Sequence, residues 1–409
     1  MGMCLLSRFD RHVQIAKLAT VLLILPMQLC ATTLSGWIGT YTTDNAINTG
    51  SYGIYAFRWD TESGVLSGIR PAGATTNPSF LALHPSGRFL YAVNEDAAPS
   101  GTDRITAFAV GDSVSSEALK PLGSVSSHGL APCHLSIDPT GKWLFVANYV
   151  SGTIAVFPIE PDGRLGEAAQ TIQQKGSGPV TGRQKSAHAH EVVPSPDGRF
   201  LLSVDLGADR IFVYRFDAAT GTLRSNNPAE AVLPSGYGPR HVVFSKDARR
   251  VYVLTELTPA VITLRWNAQW GLLSQLAVTS TLPSAYTGER KGAAEIVLHP
   301  SGKFLYASNR GDSNTIAIFR IGPDGLPVPA GHVSSGGIRP RFFGIDPSGQ
   351  FLITANQGSG DLFTFRVDPV SGALTRVGER VAVAAPVNFV FSSAVSAPQR
   401  RDEHVDSTD

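Results

Sequence analysis

A unit of strand, tight turn and strand recurs six times along this chain, with about fifty residues from one turn to the next. The turns occupy residues 84–87, 138–141, 195–198, 245–248, 299–302 and 346–349. They start 54, 57, 50, 54 and 47 residues apart, and five of the six have proline second and glycine fourth. A third and a fourth strand-like segment follow each turn. Four short strands per unit at this period are typical of a β-propeller.

The two ends of the chain determine the number of blades. Residues 37–67 contain strand-like segments without the proline–glycine turn, and residues 380–393 supply the missing strands. If both ends enter one blade, the ring closes and two sheet edges disappear. The sequence therefore predicts an all-β, seven-bladed β-propeller of four-stranded antiparallel blades, closed by N- and C-terminal strands in one blade. Such a ring is one domain, residues 32–393, although the length alone would suggest more.

The composition fits this fold and argues against one class of partner. Hydrophobic residues make up 43% of the chain, and 41 glycines and 27 prolines suit many turns around a large β core. The net charge is +1, and no basic stripe with interleaved aromatic residues is present in the sequence. We therefore expect no nucleic-acid partner.

The first 31 residues are typical of a signal peptide. Basic residues at positions 8, 11 and 17 precede an apolar run at 18–25, and the small residue Ala31 follows. The run is too short for a comfortable transmembrane helix. We therefore expect cleavage near Ala31, no stable membrane span afterwards, and a periplasmic or secreted protein. An uncleaved anchor, a misassigned start and a lipid on Cys30 are the alternatives. The polar tail, residues 394–409, is predicted to be disordered.

Cys133 is the single cysteine that follows the predicted leader, which argues against an internal disulfide and a cysteine metal site. Its neighbour His134 suggests a nucleophile, but adjacent residues on a strand point to opposite faces. A buried structural thiol is the favoured interpretation.

Polar side chains gather at one end of the predicted blades. In each repeat the first strand runs into the turn and the second runs back, so the start of one and the end of the other lie together. First strands line the channel of a propeller, so these residues should converge on one mouth. The starts of first strands carry His134, His188, His190, Arg240, His241, Glu295, Arg339 and Arg341. The ends of second strands carry Asn94, Glu95, Asn148, Asp205, Glu256, Asn309, Arg310 and Asn356.

Structural roles are the alternative for several of these residues. Asn148 and Asn356 are interpreted as bracing turns, because Asn at strand ends bonds backbone groups. The histidines that precede two of the turn prolines are expected to cap their turns and do nothing else. His188 and His190 are two apart on a strand and face the same way, which fits a structural pair, a catalytic pair or metal ligands. Without a cysteine pair or an HExxH spacing, we expect neither a metal nor another cofactor.

Four segments of the chain resemble a known family. Residues 39–42 read Gly-Thr-Tyr-Thr, 187–190 Ala-His-Ala-His, 238–241 Gly-Pro-Arg-His and 307–311 Ala-Ser-Asn-Arg-Gly. In their order and spacing, residues 37–393 resemble the seven-bladed propeller lactonases, a family that includes the propeller type of 6-phosphogluconolactonase and the fungal carboxy-muconate lactonising enzyme.

The resemblance implies a site at the channel mouth. Its catalytic residues would be His190, Glu256, Arg240 and Arg310, and its substrate-binding residues His188, Arg183, His134 and Arg341. Water would open a lactone ring, with His or Glu taking a proton and Arg stabilising the oxyanion; which group is the base stays open. Because rim charges add little to stability, we expect Arg240→Ala and Glu256→Ala to stay folded.

Three functions are compatible with this site. The first is hydrolysis of a sugar lactone or a related acid lactone, in the manner of 6-phosphogluconolactonase. The others are a muconate-type lactonising cycloisomerase and a non-enzymatic propeller that binds a ligand or protein. The predicted export departs from the sugar-phosphate member of the family, whose substrate is cytoplasmic, so the reaction class transfers better than the substrate. We expect the protein to be a monomer and its partner to be a small-molecule lactone.

Overall fold

The computed structural model describes Met1 and residues 33–44, 47–96, 103–111 and 119–392. Within these ranges the chain forms thirty β-strands, of which twenty-eight build seven four-stranded antiparallel sheets. The predicted seven-bladed propeller is therefore confirmed. The predicted signal peptide, apart from Met1, and the predicted tail lie outside the described residues. In the part of the chain that is described, no helix is long and apolar enough to cross a membrane.

Within each blade the strands follow one another from the channel outwards. The first blade contains β30 (Pro386–Phe391), β1 (Thr33–Thr40), β4 (Gly53–Asp60) and β5 (Leu66–Ala74), while β2 (Thr43–Asp44) and β3 (Ile47–Asn48) form a separate pair. The second contains β6 (Leu81–Leu83), β7 (Phe89–Asn94), β8 (Arg104–Val110) and β9 (Leu119–Ser126). The third contains β10 (Pro132–Ile137), β11 (Trp143–Asn148), β12 (Thr153–Pro158) and β13 (Gln170–Gln173). The fourth contains β14 (Ala189–Pro194), β15 (Phe200–Asp205), β16 (Arg210–Asp217) and β17 (Thr222–Val232).

Three further blades complete the ring. The fifth contains β18 (Pro239–Phe244), β19 (Arg250–Thr255), β20 (Ala260–Asn267) and β21 (Leu272–Ser280). The sixth contains β22 (Lys291–Leu298), β23 (Phe304–Gly311), β24 (Thr315–Ile321) and β25 (Pro327–Ser334). The seventh contains β26 (Pro340–Ile345), β27 (Phe351–Asn356), β28 (Asp361–Val367) and β29 (Leu374–Ala382). The seven inner strands, β6, β10, β14, β18, β22, β26 and β30, each pack against the next one round the ring and so enclose the channel.

The ring closes where the last strand meets the first. Ile38 of β1 pairs with Phe389 of β30, so the prediction that both ends share a blade is confirmed. The C-terminal end contributes fewer residues to this blade than predicted. Residues 380–382 belong to β29, the outer strand of the seventh blade, where Arg380 forms an ion pair with Asp361. The C-terminal segment thus supplies one inner strand, and the N-terminal segment supplies the other three.

Apolar side chains fill the spaces between neighbouring blades, and a repeated polar contact joins the blades there. Tyr91 of the second blade donates its hydroxyl proton to the carbonyl of Gly163 in the third. Tyr306 of the sixth blade makes the same contact with Gly372 of the seventh, and both tyrosine rings are fully buried. Because a buried hydroxyl without a partner is costly, this bond fixes the spacing between blades.

The two histidines that precede turn prolines do more than cap their turns. His84 contacts Ser86 Oγ of its own turn through Nδ1, and its Nε2 lies 2.8 Å from the carbonyl oxygen of Gly141 in the next blade. His299 repeats this arrangement, with Gly349 of the following blade 2.8 Å away. The expectation that these residues serve only their own turns is therefore wrong. They tie neighbouring blades together at the face opposite the polar mouth.

Candidate active site

The inner strands share an irregularity at the polar end of the channel. The pairing register slips by one residue between Pro132 and His134, between Ala189 and Glu191, between Pro239 and His241, and between Pro340 and Phe342. In β22 Ala294 and Glu295 together stand opposite the single residue Ser308, so the register again slips by one residue. A β-bulge adds an unpaired residue and redirects the side chains around it. The residues that lie in these bulges are Cys133, His190, Arg240, Ala294, Glu295 and Arg341.

The bulges bring adjacent residues to the same site. Arg240 Nη1 lies 3.2 Å from Nε2 of its own neighbour, His241. The rule that adjacent strand residues face apart, which we applied to Cys133 and His134, therefore does not hold at this level of the ring. The thiol of Cys133 is buried and lies 3.3 Å from the carbonyl of His190, and burial raises the pKa of the thiol well above its usual value. This environment supports the structural interpretation of Cys133.

Glu256, just beyond the end of β19, is surrounded by three arginines. Its Oε1 lies 2.6 Å from Nη2 of Arg183. Its Oε2 lies 3.1 Å from Nε of Arg240 and 2.9 Å from Nη2 of Arg310. The Arg183 side chain is 44% exposed and the Arg240 side chain 3% exposed. The cluster therefore leads from open solvent into the channel.

Burial and charge set the protonation state of this cluster. Burial alone would raise the pKa of Glu256, but the guanidinium groups of Arg310, Arg240 and Arg183 outweigh it and hold that pKa at about 2. Burial lowers the pKa of Arg310 to about 10 despite the attraction of Glu256. Glu256 is therefore ionised at neutral pH and is a poor proton acceptor. Since Arg240 and Glu256 are buried, the premise that they are weakly coupled rim charges is wrong.

Three imidazoles lie side by side along the inner strands. The ring centroid of His241 lies 5.2 Å from that of His190 and 5.6 Å from that of His134. Burial, and then the charge of Arg240, lower the pKa of His190 well below its usual value. Its Nδ1 is buried and has no hydrogen-bond partner among the described residues. His190 is thus a neutral imidazole beside the arginine cluster.

Two buried carboxyl groups face two of these imidazoles. Glu295 Oε1 lies 2.9 Å from Nδ1 of His241. Glu191 Oε1 lies 3.4 Å from Nε2 of His134, and its Oε2 accepts a hydrogen bond from the backbone N–H of Val242. Burial raises the pKa of Glu295 to about 8 and that of Glu191 well above its usual value. His134 therefore faces Glu191 rather than the Glu256 cluster.

A second arginine–carboxylate group lies across the channel. Arg341 Nη2 lies 3.3 Å from Glu95 Oε2, and its guanidinium carbon lies 5.2 Å from the ring centre of Tyr41. The hydroxyls of Tyr41 and Ser79 donate to the same Glu95 oxygen at 2.7 and 2.5 Å. Arg341 is therefore held in place by a carboxylate and an aromatic face.

Tyr149 connects the remaining predicted residues. The His188 ring stacks on it with centroids 4.7 Å apart, and the His190 ring meets it edge-on at 5.5 Å. Arg183 Nη2 donates to its hydroxyl at 3.2 Å. His188 Nδ1 lies 2.9 Å from the Tyr149 carbonyl oxygen. His188 thus supports the wall of the site, between His190 and the loop that carries Arg183.

The eight residues predicted for the site therefore lie at one end of the ring. Glu256 contacts the side chains of Arg183, Arg240 and Arg310. His190 lies next to this cluster, because its ring packs against His241, which in turn contacts Arg240. A cleft of about 360 Å³ opens above Glu256. It is lined by Arg183, Glu256, Leu257, Arg290, Lys291, Gly292, Arg310, Gly311, Ile338 and Arg339. Among the described residues no group of three or more His, Cys, Asp or Glu side chains could hold a metal ion.

Four residues of the site were not selected from the sequence: Tyr41, Ser79, Tyr149 and Glu191. Tyr41 lies within the Gly-Thr-Tyr-Thr segment that carried the family resemblance, which was a usable signal. Tyr149 directly follows Asn148 at the end of a second strand, so the same geometric rule could have found it. Glu191 follows His190, and only the bulge there brings it to the channel side.

The chain is similar to known proteins over almost the whole ring. A sequence profile described as lactonase, 7-bladed β-propeller, matches residues 35–391. A 6-phosphogluconolactonase from Bacillus subtilis is 33% identical over 87% of this chain and 97% of its own length. Another from Formosa agariphila is 34% identical over 81% and 93%. The structure of a periplasmic gluconolactonase from Pseudomonas aeruginosa is similar with a TM-score of 0.82 and 34% identity, covering 89% of this chain and all of that one.

Proposed function

This chain belongs to the seven-bladed β-propeller lactonase family, and from that premise we propose that it hydrolyses a sugar lactone or a related acid lactone at the mouth of its channel. The relatives named 6-phosphogluconolactonase support this reaction class. The observation that carries the proposal is the contact of three arginines with the single carboxylate of Glu256 beside a neutral, buried histidine.

The arginines suit the charge that develops in lactone hydrolysis. When water attacks the carbon of the ring carbonyl, the carbonyl oxygen becomes an oxyanion. Each donor that is already oriented toward this charge stabilises the transition state by roughly 3–4 kcal/mol. Arg310 and Arg240 both contact Oε2 of Glu256, and Arg310 also donates to the Ala293 carbonyl at 2.9 Å. A pKa of about 2 makes Glu256 too weak a base to accept the water proton. Its role in this proposal is therefore to orient the two arginines.

His190 is the proton acceptor in this proposal. The water oxygen forms a bond to the carbonyl carbon while one water proton passes to the imidazole. The tetrahedral intermediate then collapses, the ring C–O bond breaks, and the imidazolium returns the proton to the departing ring oxygen. The product is a hydroxy acid, which ionises. The neutral state of His190, caused by burial and by Arg240, is the form that can accept a proton.

The predicted export restricts the lactones that the protein can meet. The sequence of residues 1–31 predicts a signal peptide, and one similar structure is a periplasmic gluconolactonase. A phosphorylated gluconolactone is a cytoplasmic metabolite. We therefore propose a periplasmic or secreted enzyme whose substrate is an unphosphorylated sugar or sugar-acid lactone.

The test is acid release from a panel of lactones, with spontaneous hydrolysis subtracted. The panel contains glucono-δ-lactone, its 6-phosphate and a muconolactone. We expect catalysed hydrolysis of the first and a loss of about tenfold or more in Arg310→Gln, which removes an oxyanion donor at a position less buried than Arg240. Arg320→Gln, on the exposed face of β24, is the control and should retain the wild-type rate. Activity on no lactone would reject the proposal, and formation of lactone from an unsaturated diacid would favour a cycloisomerase.

A further inference from the structure

A chain of hydrogen bonds connects the arginine cluster to a carboxyl group that the proposed mechanism does not use. Arg240 Nη1 lies 3.2 Å from His241 Nε2, and His241 Nδ1 lies 2.9 Å from Glu295 Oε1. Arg240 Nη1 also lies 3.5 Å from His241 Nδ1, so this contact alone does not select a ring nitrogen. A guanidinium group has donors and no acceptor, and because Nδ1 is engaged by Glu295, Nε2 is the nitrogen left to accept. The His241 proton then resides on Nδ1 and is donated to Glu295. The arrangement therefore selects one tautomer of His241.

The two oxygens of Glu295 are used very differently. Oε1 accepts from His241 and also from the backbone N–H of Ile296 at 2.9 Å. Oε2 is buried and has no hydrogen-bond partner among the described residues. A buried polar atom without a partner is costly, and Oε2 is therefore where a proton or an ordered water would be accommodated. The Glu295 backbone N–H is itself held by Ser308 Oγ at 3.0 Å, which fixes the residue.

Charged groups surround Glu295 from every neighbouring inner strand. Arg240 and His241 face it from β18, and Arg341 faces it from β26. Glu191, on β14, is a like-charged neighbour when both are ionised. A small cavity of about 10 Å³, the space of about one water molecule, lies between these strands. Its lining includes Cys133, Arg240, His241, Glu295 and Arg341. Glu295 is therefore a buried polar group beside a cavity that Arg240 also lines.

We propose that Glu295 is a positioning residue for lactone hydrolysis, which acts through the tautomer of His241 to hold Arg240 in contact with Glu256. This inference rests on the lactonase function proposed above. Without the acceptor at Glu295, the His241 ring is free to place its proton on Nε2, which would then oppose the Arg240 donor. Arg240 would lose one of the contacts that orient it toward the substrate.

The charge of Glu295 gives the proposal a pH dependence. Burial opposes ionisation and raises the pKa of this carboxyl to about 8, although Arg240 and Arg341 attract the ionised form. Below this pH the group is neutral and the positive charge of Arg240 is available to the oxyanion. Above it a carboxylate beside Arg240 reduces that effect. We therefore expect the catalysed rate to fall on the alkaline side.

The experiment compares the purified wild-type protein with Glu295→Gln and Glu295→Leu. Values of kcat and KM for glucono-δ-lactone are measured from about pH 5.5 to about pH 9.5, after subtraction of the spontaneous rate. Gln keeps an acceptor for His241 but cannot titrate, so it should retain kcat at neutral pH and lose the alkaline decline. Leu removes the acceptor and should lower kcat about tenfold or more, with a smaller change in KM. Glu191→Gln tests whether the other buried carboxyl causes the decline, which should persist in this variant. Glu230→Gln, in an ion pair with Arg210 away from the site, is the matched control and should keep both kcat and the decline.

A spectroscopic measurement keeps this test independent of turnover. In ¹⁵N-histidine-labelled protein, the Nδ1 proton of His241 should give a downfield signal that moves as Glu295 titrates and is absent in Glu295→Leu. Unchanged kcat in folded Glu295→Leu, or an alkaline decline that survives in Glu295→Gln and disappears in Glu191→Gln, would overturn the inference. A wild type that hydrolyses no lactone but shows the expected signal would reject the proposed function alone.

Discussion

Replacing Glu256 with Gln should destabilise the protein by an amount that depends on pH. Three arginines hold the pKa of this carboxyl at about 2, compared with its usual 4.5. Because the pKa is lower in the folded state, the stabilisation is present above about pH 4.5 and is lost as the pH falls toward about 2. Each pKa unit corresponds to about 1.4 kcal/mol, so the ionised carboxylate contributes about 3 kcal/mol at neutral pH. At about pH 3 the same linkage leaves about 1.5 kcal/mol.

The measurement is urea denaturation of wild type and Glu256→Gln at about pH 7 and about pH 3. The free energy of unfolding should differ by about 3 kcal/mol at the higher pH and by about half of that at the lower. Glu230→Gln is the matched control. It changes the same functional groups in a more exposed ion pair with Arg210, where the loss should stay below about 1 kcal/mol. An equal loss at both pH values, or a loss no larger than that of the control, would refute the electrostatic account of the cluster.

Two further predictions follow from the fold and one from the predicted signal peptide. The thiol of Cys133 should not react with a thiol reagent in the native protein and should react fully in urea, because it is buried and its pKa is raised; complete labelling of the folded protein would contradict this. Deleting residues 386–409 removes β30 and should abolish cooperative unfolding measured by circular dichroism, because the first blade loses its inner strand and the ring stays open. N-terminal sequencing of the protein purified from its native cell should begin near residue 32, and an intact Met1 on protein from the cytosolic fraction would speak against export.

The architecture was accessible from the sequence because its signal is repeated. Six turns with nearly constant spacing predict six blades, and the remaining strand-like segments predict the seventh. The division of the C-terminal segment was less accessible. Residues 380–382 and 386–391 are both strand-like in sequence. They belong to different blades because Val381 pairs with Leu362 and Phe389 pairs with Ile38. Those partners are distant in sequence, so local patterns do not distinguish them.

The location of the site followed from chain direction, but its internal contacts did not. Strand ends placed Glu256 and Arg310 at the same mouth as Arg240, and the structure brings them into contact. The bulges were not predicted, because a single inserted residue leaves the apolar alternation on either side almost unchanged. Without them Arg240 and His241 would face apart. The degree of burial was missed for the same reason, and it decides that Glu256 orients arginines instead of accepting protons.

The site is arranged to stabilise a developing negative charge, and this arrangement lowers the folding stability of the protein. Four arginines, Arg183, Arg240, Arg310 and Arg341, contact only two carboxyl groups, those of Glu256 and Glu95. Burial raises the pKa of Glu295 to about 8 and that of Glu191 well above its usual value, which opposes further negative charge. An apolar set of similar volume would avoid the desolvation of these charges and is often more stable. A ring of seven blades tolerates the cost because each arginine is carried by a strand or loop fixed by its neighbours. The excess positive charge is then already oriented when an oxyanion forms, and little reorganisation remains for the reaction itself.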